Sequence, residues 1–389
     1  MNRFLVTALV IGIVSGCGSS GSPASPSMAT KPGTTSSAAS VQPSVAATAF
    51  PTAAFAALSD DPVLEEVAAK FQAVLAEMAG GGGITATVMT ADGTWRGAAG
   101  KADGVHDMQP DSQFGIASGT KPVIAAQVMQ MVEAGEVSLD APATEYLPAD
   151  FTFDTNGATI RQLLSHRSGI PDWYDEERFA LDRSRVWQLD EILALVPAAR
   201  RPVGSFEYAD TNYNLLGLVI EHVRQRPLVD VLRDGVLRVE GTERLIYQPD
   251  EAPTDPMAMP RGESRDALEQ GGGYLPSISD TIDGAAGGMA SDSISLARWW
   301  WAFCAGDIVS EASLTEMATF YDGDIDYGLG LFNPADGYAQ GVGHLGANFG
   351  YNSWSACLPE DHMIVVVLTN HDADIFNLAR PLVMAARSD

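Results

Sequence analysis

Strand patterns lie near both ends of this chain, and helical patterns fill the middle. Ile84 to Thr90 and Thr94 to Gly100 flank a tight turn at Asp92-Gly93, which is typical of a β-hairpin. Far along the chain, Met363 to Thr369 is an apolar run rich in β-branched residues that predicts a further strand. The simplest architecture that joins these strands is one α/β lobe built from both chain ends, with a helical lobe inserted after Gly115.

The helical patterns complete the predicted fold class, which is α/β (α+β). Apolar residues at helical spacing follow Asp61, which we expect to cap a first helix. Val123 to Ala134 predicts an amphipathic helix ended by Gly135, and Ile375 to Ala386 predicts a closing helix. We therefore expect an antiparallel sheet flanked by N- and C-terminal helices, with an inserted, mainly helical lobe. A cleft between two such lobes is a common place for a binding pocket.

The chain before the predicted domain divides into a leader and a tether. Residues 1–16 contain Arg3, an apolar run and then small residues, which is typical of a signal peptide and too short to span a membrane. Residues 17–58 are rich in Ser, Ala, Thr, Gly and Pro, with Lys31 as their single charged residue. Such a composition predicts a disordered tether. We expect the folded domain to occupy residues 59–389.

The three cysteines indicate two different roles. Val14-Ser15-Gly16-Cys17 resembles the lipobox of bacterial lipoproteins, which implies cleavage before Cys17 and attachment of lipid to its thiol. We therefore expect an exported protein, lipid-anchored to the outer face of the bacterial cell membrane or cell envelope; an ordinary leader is the alternative. Cys304 and Cys357 either pair or remain buried free thiols, because pairing needs Cα atoms within about 7 Å.

The charge balance disfavours one class of partner. The chain has 23 basic and 50 acidic residues, for a formal net charge of −27. Such a surface repels nucleic acid, so no nucleic-acid partner is expected. The histidines and cysteines do not follow metal-ligand spacing, so we predict no metal and no other cofactor. The protein is expected to be a monomer.

A serine and a lysine three residues apart mark the predicted nucleophile. Ser118 and Lys121 share one face at the start of a helix, where unpaired N–H groups and the positive dipole end favour developing negative charge. A desolvated lysine can lose its proton and take one from the serine. Of the four lysines, Lys121 alone has a serine three residues before it. The alternative is a helix-capping serine followed by a solvated lysine.

Two later stretches supply other parts that acyl transfer needs, a proton carrier and a surface for the substrate. The first contains Tyr208 and Asp210. A tyrosine is a workable base if a cation such as Lys121 lowers its pKa from about 10. The second contains His344 at the start of a strand of small residues, which lets a substrate backbone approach closely. His344 could orient a substrate carboxylate or share a proton.

In chain order, Ser118-x-x-Lys121, Tyr208-x-Asp210 and His344-x-Gly346 resemble the three motifs of the serine β-lactamase and penicillin-binding superfamily. The similarity is closer to class C β-lactamases, the related D-alanyl-D-alanine carboxypeptidases, and esterases of the same fold. The resemblance covers about residues 60–389 and implies a β-lactamase/transpeptidase-like fold. Four further runs resemble the family: Leu163 to Pro171, Tyr213 to Gly217, Ala286 to Ser291 and Tyr327 to Gly330.

The resemblance implies a role for each matching residue. Ser118 would form the acyl-enzyme, Lys121 would help to activate it, and Tyr208 would be the general base or share that role. The backbone N–H groups of Ser118 and Ala347 would form the oxyanion hole. The predicted substrate-binding residues are Asp210, Asn212, His344 and Gly346.

Two positions depart from the family pattern. Asp210 stands where asparagine is usual, and an ionised carboxylate accepts hydrogen bonds but cannot donate one. It can instead pair with Lys121 and raise the lysine pKa, which works against a neutral base. His344 stands where class C β-lactamases have lysine, which disfavours efficient hydrolysis of β-lactams.

The combined prediction is a lipid-anchored serine hydrolase that forms an acyl-enzyme on Ser118. The expected substrates are D-amino-acid peptides, including peptidoglycan stem peptides, or esters, with β-lactams less favoured. The alternative from another class is a non-catalytic cell-envelope lipoprotein that binds peptidoglycan or a protein partner through the same cleft. Asp210 supports this alternative, because its pairing with Lys121 works against a neutral base.

Overall fold

The computed structural model describes residues 49–173, 186–254, 256–260, 276–321, 325–348 and 350–388. The predicted leader, the lipidation residue Cys17 and the tether as far as residue 48 lie outside these described residues. Over the described ranges, we find no helix with the length and apolar character needed to cross a bilayer.

Antiparallel strands of the described chain form two sheets. The larger sheet has the strand order β2-β1-β8-β7-β6, and the smaller has the order β3-β5-β4. The larger sheet joins strands from both chain ends, which confirms the predicted architecture. The strands are β1 (Gly83–Thr90), β2 (Gly93–Gly100), β3 (Phe114–Gly115), β4 (Ile246–Tyr247), β5 (Met289–Ser291), β6 (Val342–Asn348), β7 (Tyr351–Leu358) and β8 (Met363–Thr369).

Most of the helices lie between β2 and β6 in the sequence, as the inserted helical lobe predicts. One helix precedes the larger sheet and one follows it. The α-helices of the described residues are α1 (Glu65–Met78), α2 (Lys121–Glu133), α3 (Ile160–Leu164), α4 (Leu189–Leu193), α5 (Asp210–Arg224), α6 (Leu228–Asp234), α7 (Pro276–Gly287), α8 (Ser293–Ala305), α9 (Glu311–Met317) and α10 (Arg380–Ala386).

The central strands of the larger sheet are buried on both faces, which explains why β8 is apolar from Met363 to Leu368. Val365 of β8 pairs with Val88 of β1, and both pack in the core shared with α1 and α10. The next residue, Val366, points to the opposite face and joins the core that contains Trp300 of α8. Each face of the sheet therefore has its own layer of helices.

Residues 49–58 belong to the folded domain, so the predicted end of the tether at residue 58 is wrong. Phe50, Phe55 and Leu58 are buried in the same core as α8. The indole N–H of Trp301 donates to the carbonyl oxygen of Phe55 at 3.0 Å. Three apolar side chains within a segment of small residues are enough to dock it, because their burial offsets the chain entropy that docking costs.

Two further local predictions are resolved by the structure. Asp61 does not cap α1, because that helix begins at Glu65 directly after Leu64. Cys304 at the end of α8 and Cys357 on β7 form a disulfide, with their Cα atoms 6.7 Å apart. The bond ties the helical layer to the sheet that it covers.

Candidate active site

Ser118 lies in a 3-10 turn from Ala117 to Thr120 that leads directly into α2. Ala117 has a φ of 48°, a conformation that non-glycine residues adopt at a cost. The N–H of Ile116 donates to the carbonyl oxygen of Met289 at 2.9 Å. The N–H of Met289 donates to Thr120 Oγ1 at 3.1 Å. Strand β5 therefore holds the turn on both sides of the serine.

Lys121 is fully buried, and its Nζ atom makes three close polar contacts. The distances are 3.0 Å to Ser118 Oγ, 2.6 Å to Asp210 Oδ1 and 2.8 Å to the carbonyl oxygen of Ala286. An ammonium group has three hydrogens, so these contacts satisfy all of them. The structure therefore brings the predicted nucleophile and lysine together and adds the ion pair with Asp210 that the sequence suggested.

The electrostatics of the site favour a protonated lysine in the unliganded protein. Burial lowers the pKa of Lys121, but Asp210 and Tyr208 together outweigh burial and raise that pKa above its ordinary value. Burial also raises the pKa of the Tyr208 hydroxyl, and the Lys121 ammonium offsets only part of this rise. Lys121 lowers the pKa of Tyr208 as predicted, but burial outweighs it, so the condition for a tyrosine base is not met in this state. The Tyr208 hydroxyl is a proton donor.

Tyr208 is held in place by a histidine that sequence reasoning missed. The ring of His166 stacks on Tyr208 with centroids 4.2 Å apart, and His166 Nδ1 accepts the backbone N–H of Ala209 at 3.2 Å. Burial holds the pKa of His166 well below 6.5, so its ring is neutral. The Tyr208 hydroxyl interacts with both Ser118 and Lys121. The family-like run around His166 was visible in the sequence, but spacing gave no reason to connect it with Tyr208.

The structure counts against a substrate contact for Asn212. Its side chain is fully buried, and its amide lies 3.2 Å from His166 Nδ1. Its Oδ1 atom accepts a hydrogen bond from Ser168 Oγ at 2.6 Å. Asn212 therefore supports His166 inside the protein. Asp210, two residues earlier at the first position of α5, has a side chain that is 24% exposed.

The structure also counts against direct substrate contact by the ring of His344. The residue is 2% exposed, and both ring nitrogens have partners inside the protein. Nε2 lies 2.9 Å from the Tyr327 hydroxyl, and Nδ1 lies 2.5 Å from the carbonyl oxygen of Leu345. Burial lowers the pKa of His344 to about 3, so the ring carries no charge at neutral pH. The His344 ring therefore packs inside the protein and connects strand β6 to Tyr327.

Gly346 lets strand β6 pass directly beside the Ser118 turn. A Cβ atom at this position would lie 2.0 Å from the carbonyl oxygen of Ile116 and 2.5 Å from Ser353 Oγ. No side chain fits there, so glycine is required for the close approach. The next residue, Ala347, is exposed on this edge strand. This arrangement suits the predicted oxyanion hole, formed by the N–H groups of Ser118 and Ala347.

The site combines a hydroxyl nucleophile, a lysine–aspartate ion pair and a protonated tyrosine. Asp172 accepts the backbone N–H of Asp210 at 3.2 Å and so fixes the start of α5. These groups can deliver acyl transfer, in which one proton leaves the serine and another reaches the leaving group. Among the described ranges, His, Cys, Asp and Glu side chains form no cluster of three that could hold a metal.

The chain matches the family model described as Beta-lactamase over residues 39–386. It is similar to PbpX of Bacillus subtilis (strain 168), a protein assigned provisionally to the penicillin-binding proteins. The two are 25% identical over 276 residues, which cover 70% of this chain and 66% of PbpX. A shorter stretch is similar to esterase EstB of Burkholderia gladioli, with 34% identity over 137 residues, or 31% of this chain and 35% of EstB. The chain thus spans just under two thirds of one relative and about a third of the other.

A solved structure is similar over most of the fold. The D-amino acid amidase of Ochrobactrum anthropi SV3, in complex with D-phenylalanine, superposes with a TM-score of 0.73 at 24% sequence identity. The match covers 84% of this chain and 100% of the amidase chain. It confirms the predicted α/β fold with its antiparallel sheet. With the family model covering nearly the whole domain, the conclusion is that this chain belongs to the beta-lactamase family.

Proposed function

We propose that this protein is a serine hydrolase that forms an acyl-enzyme on Ser118 and acts on amides or esters of D-amino acids. The observation that carries the proposal is the 3.0 Å contact between Ser118 Oγ and Lys121 Nζ at the start of α2. A hydroxyl within hydrogen-bond reach of a basic nitrogen is the basic unit of nucleophilic catalysis. The protonated Tyr208 beside both groups supports the same assignment.

Each residue has a step in the proposed reaction. Once the lysine nitrogen has released one of its own protons, Ser118 Oγ attacks the substrate carbonyl carbon as the serine proton passes to that nitrogen. The N–H groups of Ser118 and Ala347 stabilise the oxyanion that develops. Tyr208 and Lys121 return a proton to the leaving nitrogen or oxygen, and the acyl-enzyme forms. Water then attacks the acyl group by the same proton route in reverse.

The choice of substrate class rests on the third motif and on the relatives. His344 is neutral and buried, so it offers no cation to a β-lactam carboxylate, which disfavours β-lactams as substrates. One relative is an esterase, and the solved amidase binds D-phenylalanine. We therefore place D-amino-acid amides, D-peptides and short esters before β-lactams, with peptidoglycan stem peptides as one natural source.

The test is covalent labelling of the purified protein with a fluorophosphonate probe and a fluorescent penicillin. Ser118→Ala is the control, because it removes only one oxygen atom from the site. We expect Ser118-dependent labelling by the fluorophosphonate, and turnover of D-alanyl peptides or p-nitrophenyl esters in preference to nitrocefin. Absence of Ser118-dependent labelling by both probes would refute the hydrolase and favour a binding protein.

We also propose that Cys17 anchors the domain to the outer face of the cell membrane through attached lipid. The lipobox-like sequence carries this proposal, and the Cys304–Cys357 disulfide supports it, because disulfides persist mainly in exported proteins. Cys17→Ser should lose metabolic labelling by a palmitate analogue and leave the membrane fraction. A variant that stays in the membrane fraction would contradict the anchor.

A further inference from the structure

We propose that Asp210 is a catalytic residue that takes a proton from Lys121 when substrate binds, which frees the lysine to act as the base. This inference rests on the proposed hydrolase function and assigns a step that function leaves open. The family pattern has asparagine at this position, so the residue gives this chain a proton acceptor that an amide cannot provide.

The contacts of Lys121 Nζ identify the acceptor. An ammonium nitrogen has no lone pair, so it must lose a proton before it can accept one from Ser118. Its three close contacts are Ser118 Oγ, the carbonyl oxygen of Ala286 and Asp210 Oδ1. A peptide carbonyl does not take a proton at neutral pH, and the serine is the intended donor. Asp210, at 2.6 Å, is the member of this set that can accept.

The other titratable groups around the ammonium do not compete for its proton. The Tyr208 hydroxyl interacts with Lys121, and the rings of Tyr208 and Tyr213 lie 4.9 and 5.5 Å from Nζ. Burial raises the pKa of both hydroxyls, which keeps them protonated. His166 Nδ1 already accepts the Ala209 N–H. His344 has both ring nitrogens in contact with neighbours. Within the described residues, the proton therefore has one short path.

Exposure explains why substrate binding would trigger the transfer. Lys121 has no exposed side-chain surface, whereas the Asp210 side chain is 24% exposed and forms the open end of the pair. A substrate that covers Asp210 removes water from the carboxylate. Loss of water penalises the charged forms of both partners, so the neutral acid and neutral amine become favourable relative to the ion pair.

The proton balance closes over the cycle. First the Nζ–H bond to one proton breaks and an Asp210 O–H bond forms, which converts an ion pair into a neutral pair. Lys121 then takes the Ser118 proton as Oγ bonds to the carbonyl carbon, and it gives that proton to the leaving group. In deacylation water gives a proton to Lys121, which passes it to Ser118 Oγ as the acyl bond breaks, and Asp210 returns its proton to Lys121 after product leaves. In between, the Asp210 O–H can donate to a substrate carbonyl, as an asparagine amide would.

The experiment is the pH dependence of Ser118 acylation by a fluorophosphonate probe. In the wild type the proton moves within the pair and is not released, so we expect the rate constant to change by less than about threefold between about pH 6.5 and 9. Asp210→Asn has the same shape but cannot take the proton, so Lys121 must lose it to solvent. Its rate constant should fall roughly tenfold per pH unit below the lysine pKa, which burial lowers once the Asp210 carboxylate is gone.

Two further variants separate this role from a structural one. Asp210→Glu keeps a carboxylate and should restore the flat pH profile even at a lower rate. Glu221→Gln is the matched control, because it also removes one negative charge from α5. The Glu221 carboxylate accepts the backbone N–H of Leu228 rather than a proton from Lys121. Its profile should follow the wild type.

Three results would overturn the inference. A wild-type rate constant that rises about tenfold per pH unit across the same range would mean that the lysine proton goes to solvent. An Asp210→Asn profile that superposes on the wild type would mean that the carboxylate accepts nothing. Absence of Ser118-dependent labelling at every pH would refute the hydrolase itself and with it this step, whereas the first two results would leave the hydrolase standing.

Discussion

Acidification should destabilise this protein through His344, and the size of the effect can be worked out from its surroundings. The ring is 2% exposed, and both nitrogens contact groups inside the protein, Tyr327 and the backbone of Leu345. Burial lowers its pKa from 6.5 to about 3 in the folded state. The unfolded chain therefore binds a proton below pH 6.5 that the folded chain refuses, so stability falls as the pH falls.

The magnitude follows from proton linkage. The full shift from 6.5 to about 3 corresponds to roughly 5 kcal/mol at 1.4 kcal/mol per pKa unit, reached only near pH 3. Between pH 7 and pH 5 the unfolded state gains about 2 kcal/mol from the same histidine. His166, whose pKa is also held well below 6.5 by burial, adds a loss in the same direction.

The assay is urea denaturation at pH 7 and pH 5 of the wild type and of His344→Gln, which cannot be protonated. We expect the free energy of unfolding of the wild type to fall by about 2 kcal/mol more than that of the variant. His222→Gln is the control, because it also replaces a histidine with glutamine, but at a partly exposed position on α5. Equal losses in the wild type and in His344→Gln would refute the assignment of the effect to His344.

Two other features give measurable expectations. Replacing Cys304 and Cys357 with alanine opens a loop of 53 residues. We expect the free energy of unfolding to fall by about 4 kcal/mol relative to the oxidised wild type. Unchanged stability would show that the bond does not constrain the unfolded chain. Gly346→Ala would place a Cβ atom 2.0 Å from the carbonyl oxygen of Ile116, so β6 must move away from Ser118. Acylation of Ser118 should slow by roughly a hundredfold with the fold retained, whereas Gly81→Ala, with no atom within 4 Å of its Cβ, should leave the rate unchanged.

The sequence predicted the parts of the fold that depend on local pattern. The hairpin of β1 and β2, the apolar β8 and the helix after Ser118 follow from alternation, burial and periodicity. The docking of residues 49–58 was missed because Phe50 and Phe55 stand in a segment with no periodicity at all. The disulfide was left open because the 6.7 Å between Cα atoms of Cys304 and Cys357 is a property of the packed structure.

The sequence was less informative about the chemistry of the site than about which residues form it. The ordered motifs identified Ser118, Lys121 and Tyr208, and the structure brings them together with Asp210. The effect of Lys121 on the Tyr208 pKa has the predicted direction, but burial outweighs it, and burial cannot be read from spacing. Asn212 and His344 were predicted to bind substrate, yet their side chains are buried. His166 contacts Tyr208 across 42 positions of sequence, a distance over which spacing carries no signal.

The conformation of Ala117 bears on whether this catalytic motif could be moved to another protein. A left-handed alanine costs about 1–2 kcal/mol, so the turn is not the shape that the local peptide would choose. Strand β5 on one side and the bare backbone of Gly346 on the other impose it. A graft of residues 114–122 alone would relax into an ordinary helix start and leave the serine misdirected. The transferable unit is the turn with α2 and the two strands β5 and β6, drawn from three distant parts of the chain.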